Sequence, residues 1–274
     1  SMQLFKQGGV FGYIIPNNLL RTTVYDVVRR KILEQYSIMK IVDLKSGVFE
    51  RVTASTVIML IKNEIPDKDT KIVVVDNKKT GEIDNTNLFY IDQQSCLGNT
   101  SYVINLFQET SKGIFSSLKV PTKPLKEYLN VLNGIATKKN LSGILERPID
   151  QNSKRILFGK DISRYQFRWS GKYVNYVRSE LLRPRDEKIF LAPEKLIMQR
   201  IGGILVTAYD DEQFYTFNSV NNLLKKQGVQ EDLKYFLALL NSKYLIKYYE
   251  ANYSNKSSLT VNISKTFLDE LPIP

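Results

Sequence analysis

The first dense run of apolar residues is "VFGYII" at 10–15, flanked by Gly8-Gly9 and closed by Pro16. A strand apolar on both faces belongs in the middle of a parallel sheet, so the pattern predicts a central strand with its neighbours elsewhere. Asn17 or Asn18 comes next, in position to cap a helix. Leu19, Leu20, Val24, Val27, Val28, Ile32 and Leu33 then share one stripe at helical spacing, which predicts a single amphipathic helix to about residue 35. Arg29, Arg30 and Lys31 fall near its C-terminal end, where cations suit the helix dipole. Strands are expected over 37–44, 55–62 and 71–75. The link between the first two, "KSGVFERVTA", contains no helix and predicts a hairpin-like, antiparallel edge. The order β-α-β-β is the closing part of an α/β sheet.

Residues 76–118 are polar and weakly periodic, and read as a connector with one short helix near 101–109. Beyond Pro121 and Pro124, residues 125–132 form a short strand or helix, and Gly134 a turn. Short β-type stretches follow at 155–158, 173–177, 195–199, 204–209 and 214–219. The clearest helix is 231–251, where Leu233, Phe236, Leu237, Leu240, Tyr244, Leu245 and Tyr248 recur at three and four. The tail "LTVNISKTFLDELPIP" predicts a strand and a helical turn stopped by Pro272.

Composition narrows the chemistry. No apolar run approaches the roughly 18 residues that span a bilayer, so no membrane is expected. The single cysteine, Cys96, excludes an internal disulfide framework and points to a reducing cytoplasm. The absence of histidine removes Ser-His-Asp triads, histidine metal sites and histidine general bases. Net charge is +11 over 274 residues, unevenly spread. Residues 1–118 hold 14 Lys/Arg against 12 Asp/Glu, whereas 119–274 hold 25 against 16, and 138–200 alone hold 15 against 7. A basic second half on a nearly neutral first half suggests a polyanionic partner for the second.

No G-x-G-x-x-G turn follows a strand, and no P-loop occurs. Asp210, Asp211 and Glu212 could hold a metal, but they lie between two apolar β-stretches and read better as a solvated hairpin turn. Asp43-Leu44-Lys45 has the D-x-K form of some metal-dependent nucleases, yet the other carboxylates, Asp67 and Asp69, are wrongly spaced for one site. No catalytic or metal-binding residue is assigned.

The distinctive stretch is "YQFRWSGKYVNYVRSELLRPRDEK". Arg164, Arg168, Lys172, Arg178, Arg183 and Arg185 interleave with Tyr165, Phe167, Trp169, Tyr173 and Tyr176. Cations hold phosphates or base edges, and rings stack or fill grooves; the plainer alternative makes Phe167 and Trp169 core residues. "KLIMQRIGG" ends a β-stretch with Gln199, Arg200 and two glycines. Gln and Arg can pair bidentately with purines, and glycine permits close backbone approach or a turn.

Two parts of the chain resemble one family. "GGVFGYIIPNNLLRTTVYDVVRRKIL…IMKIVDLKSGVFERVTASTVIMLIKN" resembles the last strands of a class I methyltransferase acting on adenine in DNA, as found in fused, type IIG-like restriction–modification enzymes. "LFGKDISRYQFRWSGKYVNY", "KLIMQRIGG" and "FLALLNSKYLIKYYEANYSNKSSLTVNISKTFLDELPIP" resemble their TaqI-like C-terminal specificity domain. The resemblance implies α/β plus α+β architecture: a partial methyltransferase sheet, its last strands and one helix, over 1–75; a connector over 76–118; and a mixed β/α target-recognition domain over 119–274. It further implies double-stranded DNA as partner and S-adenosylmethionine as cofactor of the parent enzyme. The family's glycine-rich cofactor loop and N/D-P-P-Y/F tetrapeptide are both missing, and "IPNNL" does not replace the latter. The expectation is therefore a fragment without its N-terminal methyltransferase portion, holding no cofactor and inactive alone. Its candidate DNA contacts are Lys138, Lys139, Arg164, Arg168, Lys172, Arg178, Gln199 and Arg200, and its open sheet edge offers a dimer surface. The alternatives are the specificity subunit of a type I system, or an interaction protein that does not bind nucleic acid.

Overall fold

A computed structural model of the chain describes residues 6–49, 55–77, 87–106, 120–138, 141, 143–253 and 262–274. The fold is mixed α/β with several sheets and few helices. It divides into two compact units, Ser1–Lys119 with Glu250–Val261 and Val120–Tyr249 with Asn262–Pro274.

The first unit holds a five-stranded sheet ordered β1-β3-β2-β4-β5, where β1 is Val10–Pro16, β2 Ser37–Lys45, β3 Thr56–Lys62, β4 Lys71–Asp76 and β5 Leu88–Asp92. β3 is antiparallel to β1 and β2, and β4 is parallel to β2. Strands β1, β2 and β4 therefore run the same way. Val57, Met59 and Ile61 alternate along β3 into a core shared with Ile38, Ile41, Ile72, Val74, Leu20, Ile32 and Leu33. The link from β2 to β3 is antiparallel, as the missing helix predicts, but β3 lies inside the sheet. The fifth strand, β5, falls in the stretch read as a connector. Among the described residues of 101–109 there is no α-helix, only a 3-10 turn at Thr100–Tyr102; 107–109 lie outside the described residues.

The strand predicted to be central is instead the sheet's edge. β1 pairs only with β3 among the described strands, leaving Val10 59%, Tyr13 54% and Ile14 48% exposed. An apolar run cannot by itself tell a strand covered on both faces from one left open. The single helix is also broken, into α1 Asn18–Arg21, a 3-10 turn Thr23–Tyr25 and α2 Asp26–Gln35. Thr22 is extended (φ −69°, ψ 141°), which shifts the helical phase of residues 23–35, so Val24 and Val27 point outward while Arg29, Ile32 and Leu33 are buried. Asn17 makes no side-chain cap.

Arg29 does not simply complement a dipole. Its buried guanidinium donates to the carbonyls of Leu19 (2.7 Å), Thr22 (2.8 Å), Ser101 (2.6 Å) and Tyr102 (3.1 Å). Ser101 and Tyr102 are both left-handed, with φ of 54° and 56°. One cation thus satisfies the carbonyls that the helix break frees and ties them to this strained turn.

The second unit contains two four-stranded sheets. The strands are β6 Lys123–Pro124, β7 Leu129–Asn133, β8 Ala136–Thr137, β9 Ile144–Leu145, β10 Ser153–Leu157, β11 Tyr173–Asn175, β12 Leu181–Arg183, β13 Lys195–Gln199, β14 Thr207–Asp210, β15 Tyr215–Thr216, β16 Val220–Lys225 and β17 Pro272–Ile273. One sheet is an antiparallel β14-β13-β16-β7 array; the other, β15-β10-β11-β9, contains a parallel β10–β15 pair. Two-stranded pairs β8–β12 and β6–β17 complete the unit. The helix expected over 231–251 is two, α3 Leu233–Leu240 and α4 Lys243–Asn252, divided at Asn241-Ser242. Asn241 is fully buried, exchanges bonds with the backbone of Thr207 and donates to Leu237, so it closes α3 and clamps the start of β14.

Candidate nucleic-acid interface

Pairing of β12 with β8 brings the arginine-rich stretch against the turn after Gly134. Gly134 must be glycine: a Cβ there would lie 2.2 Å from the Phe217 carbonyl oxygen. This close approach seats Gly134 and Ile135 alongside Thr216 and Phe217, with the Ile135 N–H donating to the Thr216 carbonyl. Lys138 donates to the Ser179 carbonyl at 3.0 Å, Arg178 to the Arg185 carbonyl at 2.7 Å, Arg185 to the Gly134 carbonyl at 3.2 Å, and Arg200 to the Asn218 carbonyl at 2.9 Å. Arg183, opposite Ala136 in the ladder, is exposed. Arg185 itself is left-handed (φ 67°), and its carbonyl also accepts from the Tyr176 hydroxyl at 2.8 Å.

These five cations share one property. Among the described residues, none is paired with a carboxylate; four are oriented by backbone carbonyls, which position a cation without cancelling its charge. The crowding registers on Arg185, whose affinity for its proton is lowered first by burial and then by the charges of Arg183 and Arg200. Like-charged groups held together without a counter-charge form a site for an anion.

Three other cations in the same unit face carboxylates. Arg155 pairs with Glu212 at 3.0 Å, Lys172 with Glu146, and Lys126 with Glu270 at 2.6 Å. The expected contact residues thus separate. Lys138, Arg178 and Arg200 belong to the cluster, joined by Arg183 and Arg185. Arg164 donates to the Asn241 carbonyl and lies over Tyr165, while Lys172 is taken by Glu146. Gln199 spends an amide hydrogen on the Ile162 carbonyl at 2.7 Å. Arg168 is exposed on a separate loop, its backbone bonded to Asp161. Lys139 lies outside the described residues. Trp169 and Phe167 pack against the core that contains Phe214, in keeping with the plainer alternative.

The carboxylate motifs are accounted for too. Asp210 is fully buried, 2.6 Å from the equally buried Lys195. Its oxygens also accept from the backbone N–H groups of Glu212 and Phe214, which makes 210–214 a structural turn. Asp43 and Lys45 do meet a second carboxylate, Asp76 on the parallel neighbour β4. Burial works against the Lys45 ammonium, but bonds to both carboxylates outweigh it and raise its pKa. The two carboxylates are thus engaged by the lysine.

Comparison with known proteins matches both units. Residues 2–111 match the family described as N-6 DNA Methylase, and 154–273 the TaqI-like C-terminal specificity domain. Among solved structures, the nuclease-deletion mutant of the Type ISP restriction–modification enzyme LlaGI, in complex with a DNA substrate mimic, shares 9% identity at a TM-score of 0.60 over 92% of this chain and 33% of its own. The ATP-dependent Type ISP enzyme LlaBIII, bound to DNA, shares 13% at 0.58 over 97% of this chain and 25% of its own. The chain thus spans a third or less of the length of these enzymes. No curated protein matches it in sequence. The chain joins a segment of the N-6 DNA methylase family to a TaqI-like C-terminal specificity domain.

Proposed function

We propose that this chain is the target-recognition part of a restriction–modification enzyme that methylates adenine at N6 in a defined sequence of double-stranded DNA. The observation that carries the reading is the cluster of Lys138, Arg178, Arg183, Arg185 and Arg200, four of them held in place by carbonyls and none paired with a carboxylate among the described residues. Phosphates supply a counter-charge, and a duplex presents them in a regular row.

Methyl transfer itself needs S-adenosylmethionine. The turns at the ends of the co-directional strands β1, β2 and β4 are Pro16-Asn17, Ser46-Gly47 and Asp76-Asn77. None is a glycine-rich turn opening into a helix, so these residues do not fit the cofactor, and no catalytic step is assigned to them. In this reading β1 is one strand of a larger methyltransferase sheet. Its open edge receives the remaining strands or, in their absence, a second copy of the chain.

The test is retention of a defined 30-base-pair duplex at rising salt. Binding that weakens steeply supports the reading, and binding that is absent or flat with salt overturns it. Transfer of labelled methyl groups from S-adenosylmethionine by the chain alone would overturn the assignment of catalysis to other residues.

A further inference from the structure

The loop between β13 and β14 contains two glycines that the fold does not require. Neither Gly202 nor Gly203 has a left-handed φ. A Cβ on Gly203 would meet nothing within 4 Å, and one on Gly202 would meet only the Gln199 side-chain oxygen at 3.3 Å. Other residues would therefore be tolerated by the protein itself, at Gly203 with no rearrangement. What remains is the other use of glycine, bare backbone that a bound molecule can approach.

The flanking residues are as telling. Ile201 and Ile204 are 41% and 40% exposed, two branched aliphatics within four positions. The root of the loop is firm. Arg200 donates its backbone N–H to Ser219 and its guanidinium to Asn218, its carbonyl accepts from Ile263, and Ile201 bridges to Asn262. Arg200 is also a member of the cation cluster, near enough to Arg185 to depress its pKa. An apolar tip on an anchored root thus adjoins the surface assigned to phosphates.

We infer that Ile201 and Ile204, separated by Gly202-Gly203, form an apolar wedge that enters a base step of the duplex, an inference that rests on the proposed DNA-binding reading. Cations beside the loop fix the backbone, the glycines let it come close, and the aliphatic groups take the place of lost stacking. Gln199 is not needed as a base reader, because its amide already serves Ile162.

Because the target sequence is not required, the probe is one 30-base-pair duplex, intact or carrying a single abasic site. A wedge gains where stacking is already lost, since opening an intact step costs a few kcal/mol. The chain is expected to bind the abasic duplex about tenfold more tightly than the intact one, a difference of about 1.4 kcal/mol. The double variant Ile201→Ser/Ile204→Ser should lose that preference while keeping the salt dependence of binding and the melting temperature of the unmodified chain, which verifies its folding. Gly203→Val should act likewise, with no change in melting temperature. Salt-sensitive binding of both duplexes without preference, or a preference that survives in the double variant, overturns the wedge alone. Failure to bind either duplex overturns the DNA-binding reading and the wedge together.

Discussion

Lys195 and Asp210 face each other across the first register pair of β13 and β14, both fully buried. Burial lowers the lysine pKa, and Asp210 offsets only part of that shift. Such a pair is weak evidence for stability, yet breaking it is costly because one charge stays behind. Lys195→Met is therefore expected to lower unfolding stability by about 3–5 kcal/mol. Replacing both residues with apolar ones should not restore the loss, because Asp210 also satisfies the backbone N–H groups of Glu212 and Phe214. Lys195→Met/Asp210→Leu should remain about 2 kcal/mol below the unmodified chain, from the N–H groups left unsatisfied. Urea denaturation distinguishes the outcomes, and a double variant as stable as the unmodified chain would contradict the role given to Asp210. Cys96 offers a pH-linked test in the other unit. Burial, and then the charge of Asp92, push its thiol up to about 12. The fold thus favours the protonated form; that stabilisation is complete below the unfolded thiol's range near about 8.5 and is lost as pH climbs toward the folded value. At pH 8 the native thiolate is on the order of one in ten thousand, so iodoacetamide should label Cys96 only when urea unfolds the chain. Prompt labelling in native buffer would show that the packing around Cys96 is wrong.

At the scale of elements, the open edge of β1 gives the next prediction. Among the described strands β1 pairs only with β3, and a strand edge beside exposed apolar side chains invites strand pairing between chains. The chain is expected to self-associate as concentration rises, and Ile14→Lys should keep it monomeric by light scattering. A lysine variant that associates as before would exclude this edge. β1 also shows what the sequence could reveal. Its existence was legible in "VFGYII", but its place in the sheet depends on β3, whose residues pair with it from 40 to 52 positions away. Likewise the stripe from Leu19 to Leu33 announces a helix, while the break at Thr22 becomes intelligible only with Ser101 and Tyr102, whose carbonyls need Arg29. Long, well-patterned strands such as β3 and β13 were visible. Two-residue strands such as β8 and β9 were not, because they exist only through their partners. The candidate interface divides on the same line. The local excess of cations over 138–200 is plain in the sequence, and Lys138, Arg178 and Arg200 are among the contacts it suggests. Their separation from Lys172 required knowing that Glu146 lies beside that lysine. Arg183 and Arg185 stood in the quoted stretch, but what joins them to Lys138 and Arg200 is the β8–β12 pairing and the close approach at Gly134.

At the scale of the whole chain, the basic excess falls on residues 119–274, where 25 cations face 16 anions. Charge counts alone predict that any lysine or arginine there contributes equally to holding a duplex. The ion-pair pattern predicts otherwise. A cation already facing a carboxylate brings little new charge to a phosphate, whereas one held by carbonyls brings all of it. In counterion-release terms, each phosphate neutralised contributes about 0.9 to the slope of log affinity against log salt. Engagement of the whole cluster gives a slope of about −4 to −5, so affinity should fall roughly three-hundredfold to a thousandfold between 50 and 200 mM salt. Arg178→Gln, Arg183→Gln and Arg185→Gln should each reduce the slope by about 0.9, for intact duplexes of any sequence. Lys172→Gln and Arg155→Gln, which remove partners of Glu146 and Glu212, should leave it nearly unchanged. Arg178 and Arg185 also support the turn at 185, so their variants should be compared at matched thermal stability; Arg183, with no such bond among the described residues, gives the cleanest measurement. Equal slope changes from the paired and unpaired cations would mean that the carbonyl-held cluster has no special part in binding, and that the duplex is held by diffuse charge alone.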